Sequence, residues 1–289
     1  MRVAVACASP AARRWVAPAL TAAGHDVVDL DDTDGVPAEG GCEGLLEGVD
    51  ALVAMAVPFP VGLAARLPHG WRAHDRSCSE GVRGLVAAAR AAGVRRVVQH
   101  SFSFLYADQG DAWVTEESPL CVTTATEPAS VGELVVQDYA SSCRTGVVLR
   151  VGLVVGDSPF TRWSLRAVAR GRPIGSGAVD GFAHVIHSDD VGPAVVAALD
   201  VPSGVYNVGA PPVRRRDLVD VHAEAVGRAS SGFLGPLTAR LAGRHAEPLS
   251  RSVRVSSALF CDSSGWTPRR EELDASWFDA ARSPLVPVE

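Results

Sequence analysis

Short apolar runs rich in valine and alanine punctuate the first 155 residues, and between them apolar positions recur with helical spacing. Arg2–Ala8 (RVAVACA), Asp26–Leu30 (DVVDL), Val49–Ala56 (VDALVAMA), Arg96–His100 (RVVQH) and Gly146–Val151 (GVVLRV) predict strands. Ala11–Ala23 predicts a helix closed by Gly24, Glu80–Ala92 a helix stopped by Gly93, and Val131–Tyr139 a third. Strands alternating with helices on this spacing predict a parallel sheet covered on both faces.

Past residue 155 the elements shorten. Arg162–Arg170 predicts a helix ended by Gly171, and a Gly/Pro-rich stretch then leads into Phe182–His187. Asp189–Leu199 and Asp217–Val226 predict helices, with a short strand at Val205–Val208 between them. These pieces predict a smaller lobe over the carboxyl edge of the sheet, the edge where open α/β sheets bind ligands.

Composition narrows the chemistry. All 27 cationic residues are arginine and none is lysine, against 33 acids, for a net charge of −6. Without lysine there is no Schiff base and no lysine-containing phosphate loop. The acidic balance offers no field for nucleic acid or anionic lipid. Arg214-Arg215-Arg216 is the one basic run, and it reads as a solvated helix start. The six cysteines are scattered, with no C-x-x-C pair and no metal-ligand spacing with histidine, so no metal is expected. No apolar run reaches the roughly 20 residues of a membrane span, and no leader pattern is visible. A reduced, cytoplasmic protein acting on a small molecule is the expectation.

Several segments carry a family resemblance: GHDVVDLDD at 24–32, LEGVDALVAMAVP at 46–58, GLVAAARAAGVRRVVQHS at 84–101 and GDAWVTEESPL at 110–120. VVLRVG at 147–152, HSDDV at 187–191, VYNVG at 205–209 and RVSSALFCDSSGWTPR at 254–269 follow in order. Together they resemble the extended short-chain dehydrogenase/reductases of the NAD-dependent epimerase/dehydratase type. The resemblance implies an α/β fold, a Rossmann-like doubly wound parallel sheet with a smaller C-terminal substrate lobe. It sets the first domain at 1–155 and the second, partly interleaved, at 156–289. It also implies a homodimer made through paired helices, Val131–Tyr139 among them.

The family's chemical parts are missing. Its loop T-G-x-x-G-x-x-G reads Cys7, Pro10 and Arg13 at the three glycines that would let a pyrophosphate approach. Pro10 removes an N–H, and Arg13 puts a long side chain where the third glycine belongs. We therefore expect no cofactor; if NAD(P) binds, Arg13 meets the pyrophosphate and Asp31, at the end of the second strand, the ribose. The family's catalytic serine falls at Phe102, its Tyr-x-x-x-Lys pair at Ala125 and Ala129, and its helix asparagine at Cys78. The segment after the fifth strand, P-G-x-x-Y-G in the family, reads Val151 to Gly156.

Other titratable groups fall where the resemblance puts the substrate. His100 and His184 are the candidate proton carriers, with Ser101, Ser103 or Tyr106 to hold an oxyanion. Phe102, Trp113, Thr124, Trp163 and Phe182 are the candidate pocket walls, and His187 is read as architectural. The leading expectation is a cofactor-independent, non-redox enzyme of secondary metabolism, performing an isomerisation, dehydration or cyclisation. Its rivals are an atypical NAD(P)-dependent reductase or epimerase, and a pseudoenzyme that binds a ligand or partner without turnover.

Overall fold

The computed structural model describes residues 1–7, 9–30, 43–56, 59–235 and 244–282. Six strands make the main sheet: β1 (Arg2–Cys7), β2 (Asp26–Asp29), β3 (Ala51–Met55), β4 (Arg96–Phe102), β5 (Thr145–Val151) and β6 (Gly204–Val208). Their order is β6-β5-β4-β3-β1-β2, and every pairing is parallel. The order reverses beside β1, with β2 on one side and β3 on the other, which opens a crevice at their carboxyl ends. The predicted fold class is observed.

Helices cover both faces. On one side α1 (Pro10–Ala22) and α4 (Ser188–Ala197) pack with Val16, Leu20, Val191 and Val195 on Val5, Val53 and Leu149. They approach closely because position 192 is glycine; a Cβ there would lie 2.1 Å from the Trp15 carbonyl oxygen. On the other side α2 (Val82–Ala91) and α3 (Glu127–Tyr139) set Leu85, Val86, Val136 and Tyr139 on Leu52, Val97 and Val148. Residues 204–208, expected in the smaller lobe, instead extend the main sheet beside β5, so the lobes interleave. The helical path into α2 begins at Arg72, not at Glu80. A π turn at Ser77–Gly81 adds a residue there and rephases the apolar positions, so no single helical period runs through.

The smaller lobe is built on the strand pair Leu153–Val155 and Val185–His187, with α5 (Arg215–Ala225) and the helix Pro159–Ala169. Leu165, Val185, Leu218, Trp277 and Phe278 form its core. His187 is architectural, as expected. Its Nδ1 accepts the Asp189 N–H at 3.2 Å, so the ring proton sits on Nε2, 3.1 Å from the Trp277 carbonyl.

One buried polar row ties the sheet to α3. Ser101, Arg150 and Asn207 are lateral neighbours on β4, β5 and β6. Above them Glu133 takes 3.0 and 2.6 Å bonds from Arg150 Nε and Nη2, and a 2.5 Å bond from Ser101 Oγ. Arg150 Nη1 reaches the Tyr106 hydroxyl at 3.0 Å, and that hydroxyl donates to Asn207 Oδ1 at 2.8 Å. Removing one partner of such a buried pair strands the other charge, at about 3–5 kcal/mol. Glu133→Ala is therefore expected to lose that much in urea unfolding, and Glu133→Leu/Arg150→Met to recover most of it. Equal losses in the two variants would contradict the ionic origin.

Candidate active site

Strand alternation decides what β4 offers to each side. Val98 joins the core under α1 and α4, so His100 and Phe102, two and four residues on, face that same side. Gln99 and Ser101 face α3. Past the end of the strand, Ser103 and Phe104 lie in a 3₁₀ turn and face the smaller lobe.

Three cavities meet around Leu153 and Phe160. The first, of about 50 Å³, lies at the carboxyl ends of β3 and β4, lined by Trp15, Met55, Phe59, His100 and Phe102. The second, of about 400 Å³, opens between Phe59, Trp71, Trp163, Arg66 and Arg172. The third, of about 110 Å³, runs into the smaller lobe past Ser103, His184, Arg215 and His222. Aromatic contacts knit the walls: Phe59 lies 4.9 Å from Phe102, Phe102 stacks on Phe104 at 4.8 Å, and Trp71 stacks on His245 at 4.1 Å.

The candidate residues divide accordingly. His100, Phe102, Ser103, Trp163 and His184 line the cavities. Ser101 and Tyr106 do not, because both hydroxyls are spent in the row beneath α3. Trp113 is 54% exposed, with the Arg254 guanidinium over its ring at 4.1 Å. Phe182 carries Arg214 over its face at 3.9 Å, outside all three cavities. Thr124 is an exposed turn residue. Arg13 meets Asp29 at 2.5 Å across the crevice mouth, and Asp31 lies outside the described residues.

Phe59, Trp71, Phe160, Arg215 and His222 line the cavities without having stood out in the sequence. Only Arg215 had a signal, the basic run. Two of its arginines are surface residues as expected, but Arg215 is 7% exposed, turned inward by the start of α5.

Burial keeps three of the cavity histidines, His100, His184 and His222, neutral at pH 7. Burial, with His74 adding to it, pushes His100 down to about 3, and burial alone pushes His184 to about 3. Neither ring has a hydrogen-bond partner at either nitrogen. A glycine at 209 makes room for His184, since a Cβ there would lie 2.1 Å from its Nε2. His222 spends its Nδ1–H on the Leu218 carbonyl at 2.6 Å and is lowered to about 4 by burial. The protein's three tyrosines are committed as well. Tyr106 serves the buried row, Tyr139 donates to the Val94 carbonyl and Tyr206 to the Pro202 carbonyl. Among the described residues no group of three metal-ligating side chains occurs, and no helix is long and apolar enough to cross a membrane.

No family model matches the chain. A 3-diazoavenalumate denitrifying reductase from Streptomyces sp is 36% identical over 154 residues, 49% of this chain and 49% of that protein. The chain thus spans about half the length of the curated relative it matches. Among solved structures, human epimerase family protein SDR39U1 with NADPH aligns at a TM-score of 0.78 and 20% identity, covering 97% and 99% of the two chains. MoeE5 with UDP-glucuronic acid and NAD aligns at 0.72 and 20% identity, over 96% and 98%. The dTDP-glucose 4,6-dehydratase DesIV of Streptomyces venezuelae, a double mutant with NAD bound, aligns at 0.74 and 18%, over 97% and 95%. The chain has the fold of the extended short-chain dehydrogenase/reductases of the epimerase/dehydratase type. The expectation of no cofactor is overturned: these matched structures hold NAD or NADPH. The non-redox reading loses its ground with it, since the curated relative is a reductase by name.

The buried histidines set a pH dependence. Between about pH 6.5 and 3 the unfolded chain takes up protons that folded His100 and His184 refuse, so stability falls with pH across that window. Each histidine contributes at most about 1.4 kcal/mol per pH unit. Urea midpoints are expected to drop from pH 7 to pH 5 and to drop less steeply in His100→Phe/His184→Leu. Parallel slopes in the two proteins would show that the rings are protonated in the fold.

Proposed function

We propose that this protein is an NAD(P)-dependent reductase whose substrate needs no proton from the enzyme, an aromatic diazonium group being the chemistry that suits it best. One observation carries the reading: the crevice at the ends of β1, β3 and β4 persists, while no tyrosine or lysine lines its cavities and burial keeps His100, His184 and His222 neutral. A ketone reduced by hydride leaves an alkoxide that a tyrosine–lysine pair must protonate, and this chain has no lysine. An arenediazonium ion carries its own positive charge and leaving group; it gains a hydride, loses dinitrogen and becomes the arene, with no atom left over. The 36% identity to a denitrifying reductase of a diazo compound supports the same choice.

The chain's residues fit the cofactor in charge and surface chemistry. Ser9 caps α1 by accepting the Ala11 N–H at 3.2 Å, and Pro10 has no N–H, so the loop itself has little to give a pyrophosphate. Arg13 and Arg14 in the first turn would hold it instead, each turning from the acid it now meets, Asp29 or Asp157. At the ring end, the partnerless His100 nitrogens and the faces of Trp15 and Phe102 suit an aromatic amide. An apolar cavity of about 150 Å³ takes a benzene ring. The cavity here is about 50 Å³, so a nicotinamide would need the lining rings of Phe59 and Phe160 to give way. Bound there, the reduced cofactor supplies the hydride. The aromatic walls exclude water, which would otherwise capture a diazonium ion.

With an aromatic diazonium acid and NADPH, one NADPH is expected to be oxidised per dinitrogen released, and Arg13→Ala to weaken nucleotide binding about tenfold. No nucleotide binding at millimolar concentration would end this reading. The chain also suits a homodimer. A groove of about 580 Å³ lined by Val86, Val131, Leu134 and Val135 runs between α2 and α3, with Leu134 63% exposed. Sedimentation is expected to show a dimer that Leu134→Asp splits; a monomeric native protein refutes it.

A further inference from the structure

The charge distribution around the cavities identifies the kind of substrate. The chain is acidic overall, yet the charged residues lining the three cavities are Arg66, Arg172, Arg215 and Arg251, with no aspartate or glutamate among them. Arg251 is neutralised by Glu247, at 2.9 and 2.6 Å, and its Nη1 holds the carbonyls of Phe104, Tyr106 and Cys121. Arg66 and Arg172 stand exposed at the rim of the large cavity, with no acid paired to either among the described residues.

Arg215 is different. It is 7% exposed, and its hydrogen bonds all go to neutral carbonyls: Nη1 to Leu249 at 2.9 Å, Nη2 to Arg251 at 2.8 Å and Phe182 at 3.3 Å. Its Nε–H is buried without an acceptor. Asp108 acts on it only through space, its two oxygens taken by the N–H groups of Gly110 and Ser252. His184, on the wall of the same cavity, also lacks partners, so one ring N–H goes unused in either tautomer. A buried cation and two idle donors in one cavity are costly unless an anion completes them.

We propose that the site takes a flat aromatic monocarboxylate, its body between Trp71 and Phe160 in the large cavity and its carboxylate at the inner end, against Arg215, His184 and Ser103. One uncompensated buried charge calls for one negative charge. The apolar neighbours at that end, Leu153, Leu218 and Val253, disfavour a doubly charged phosphate. The His222 Nε2, an acceptor, faces the same space and suits a hydroxyl or water beside the carboxylate. This inference rests on reading the crevice as the reductase site, and it names what that site receives.

The test uses 4-hydroxycinnamate and its amide as probes, titrated by calorimetry at pH 7.5 into the whole protein without nucleotide. The acid is expected to bind at least tenfold tighter than the amide. Arg215→Met is expected to erase that preference while leaving the amide's affinity within twofold, and Arg172→Ala to keep it. Should Arg215→Met fail to fold, Ser176→Glu serves, because Ser176 lines both larger cavities and a carboxylate there repels the acid alone. Equal binding of acid and amide, or a preference surviving either Arg215→Met or Ser176→Glu, overturns the proposal. So does inorganic phosphate competing better than the acid. Nucleotide titration reads the reductase proposal separately: acid preference without nucleotide binding sinks that reading and leaves the anion site, and the reverse outcome sinks only this one.

Discussion

The buried contact between Glu133 and Arg150 is the constraint on which the rest of the molecule depends. Both side chains are almost wholly out of water, at 2% and 6% exposure, so the pair is tolerable only with each remaining polar atom engaged. That requirement recruits Ser101 from β4, Tyr106 from the loop beyond it and Asn207 from β6. Glu116 extends it by accepting the Asn207 N–H at 2.8 Å. Three strands and a helix are thereby tied together, and the edge strand β6, paired to β5 along its backbone, is tied into the same row through Asn207.

The consequence for chemistry is a division of labour between the two faces of β4. Hydroxyls and charges that might have served a reaction are consumed on the α3 face. On the other face, alternation leaves His100 and Phe102, and the loops add Phe59, Phe160 and Trp163. Histidines set among those rings lose their water and with it their basicity, since a charge in such surroundings costs more than a neutral imidazole. The cavity system is thus aromatic, dry and cationic at its ends, and no tyrosine or lysine lines it to protonate an alkoxide.

A scaffold of this type can change its chemistry through loops and pocket walls while its layers stay fixed. Here the strand-end crevice and the alternating layers remain, whereas the glycines and the tyrosine–lysine pair are gone. Losing a proton relay is tolerable when the electrophile is already charged. Replacing backbone N–H donors by Arg13 and Arg14 keeps positive charge at the start of α1, though in long side chains that acids have meanwhile claimed.

Much of the fold was legible in the sequence. Apolar runs of strand length, separated by helical periods and closed by glycine, dictate a parallel doubly wound sheet because few other arrangements bury those faces. That His100, Phe102 and Ser103 fall at the carboxyl edge of the sheet was legible too, although β4 runs two residues past its expected end at His100, to Phe102. Which hydroxyls were spent was not: Ser101 and Tyr106 look as reactive as Ser103 until Glu133 and Arg150, 32 and 49 residues from Ser101, are seen across the sheet. Trp113 lies exposed and Phe182 buried outside the cavities, each with an arginine over its ring, a partnership that sequence spacing does not encode. The inward turn of Arg215 was equally hidden. A basic run on a helix start favours water, and only the packing of α5 against the smaller lobe decides that one of its three cations points into a cavity instead.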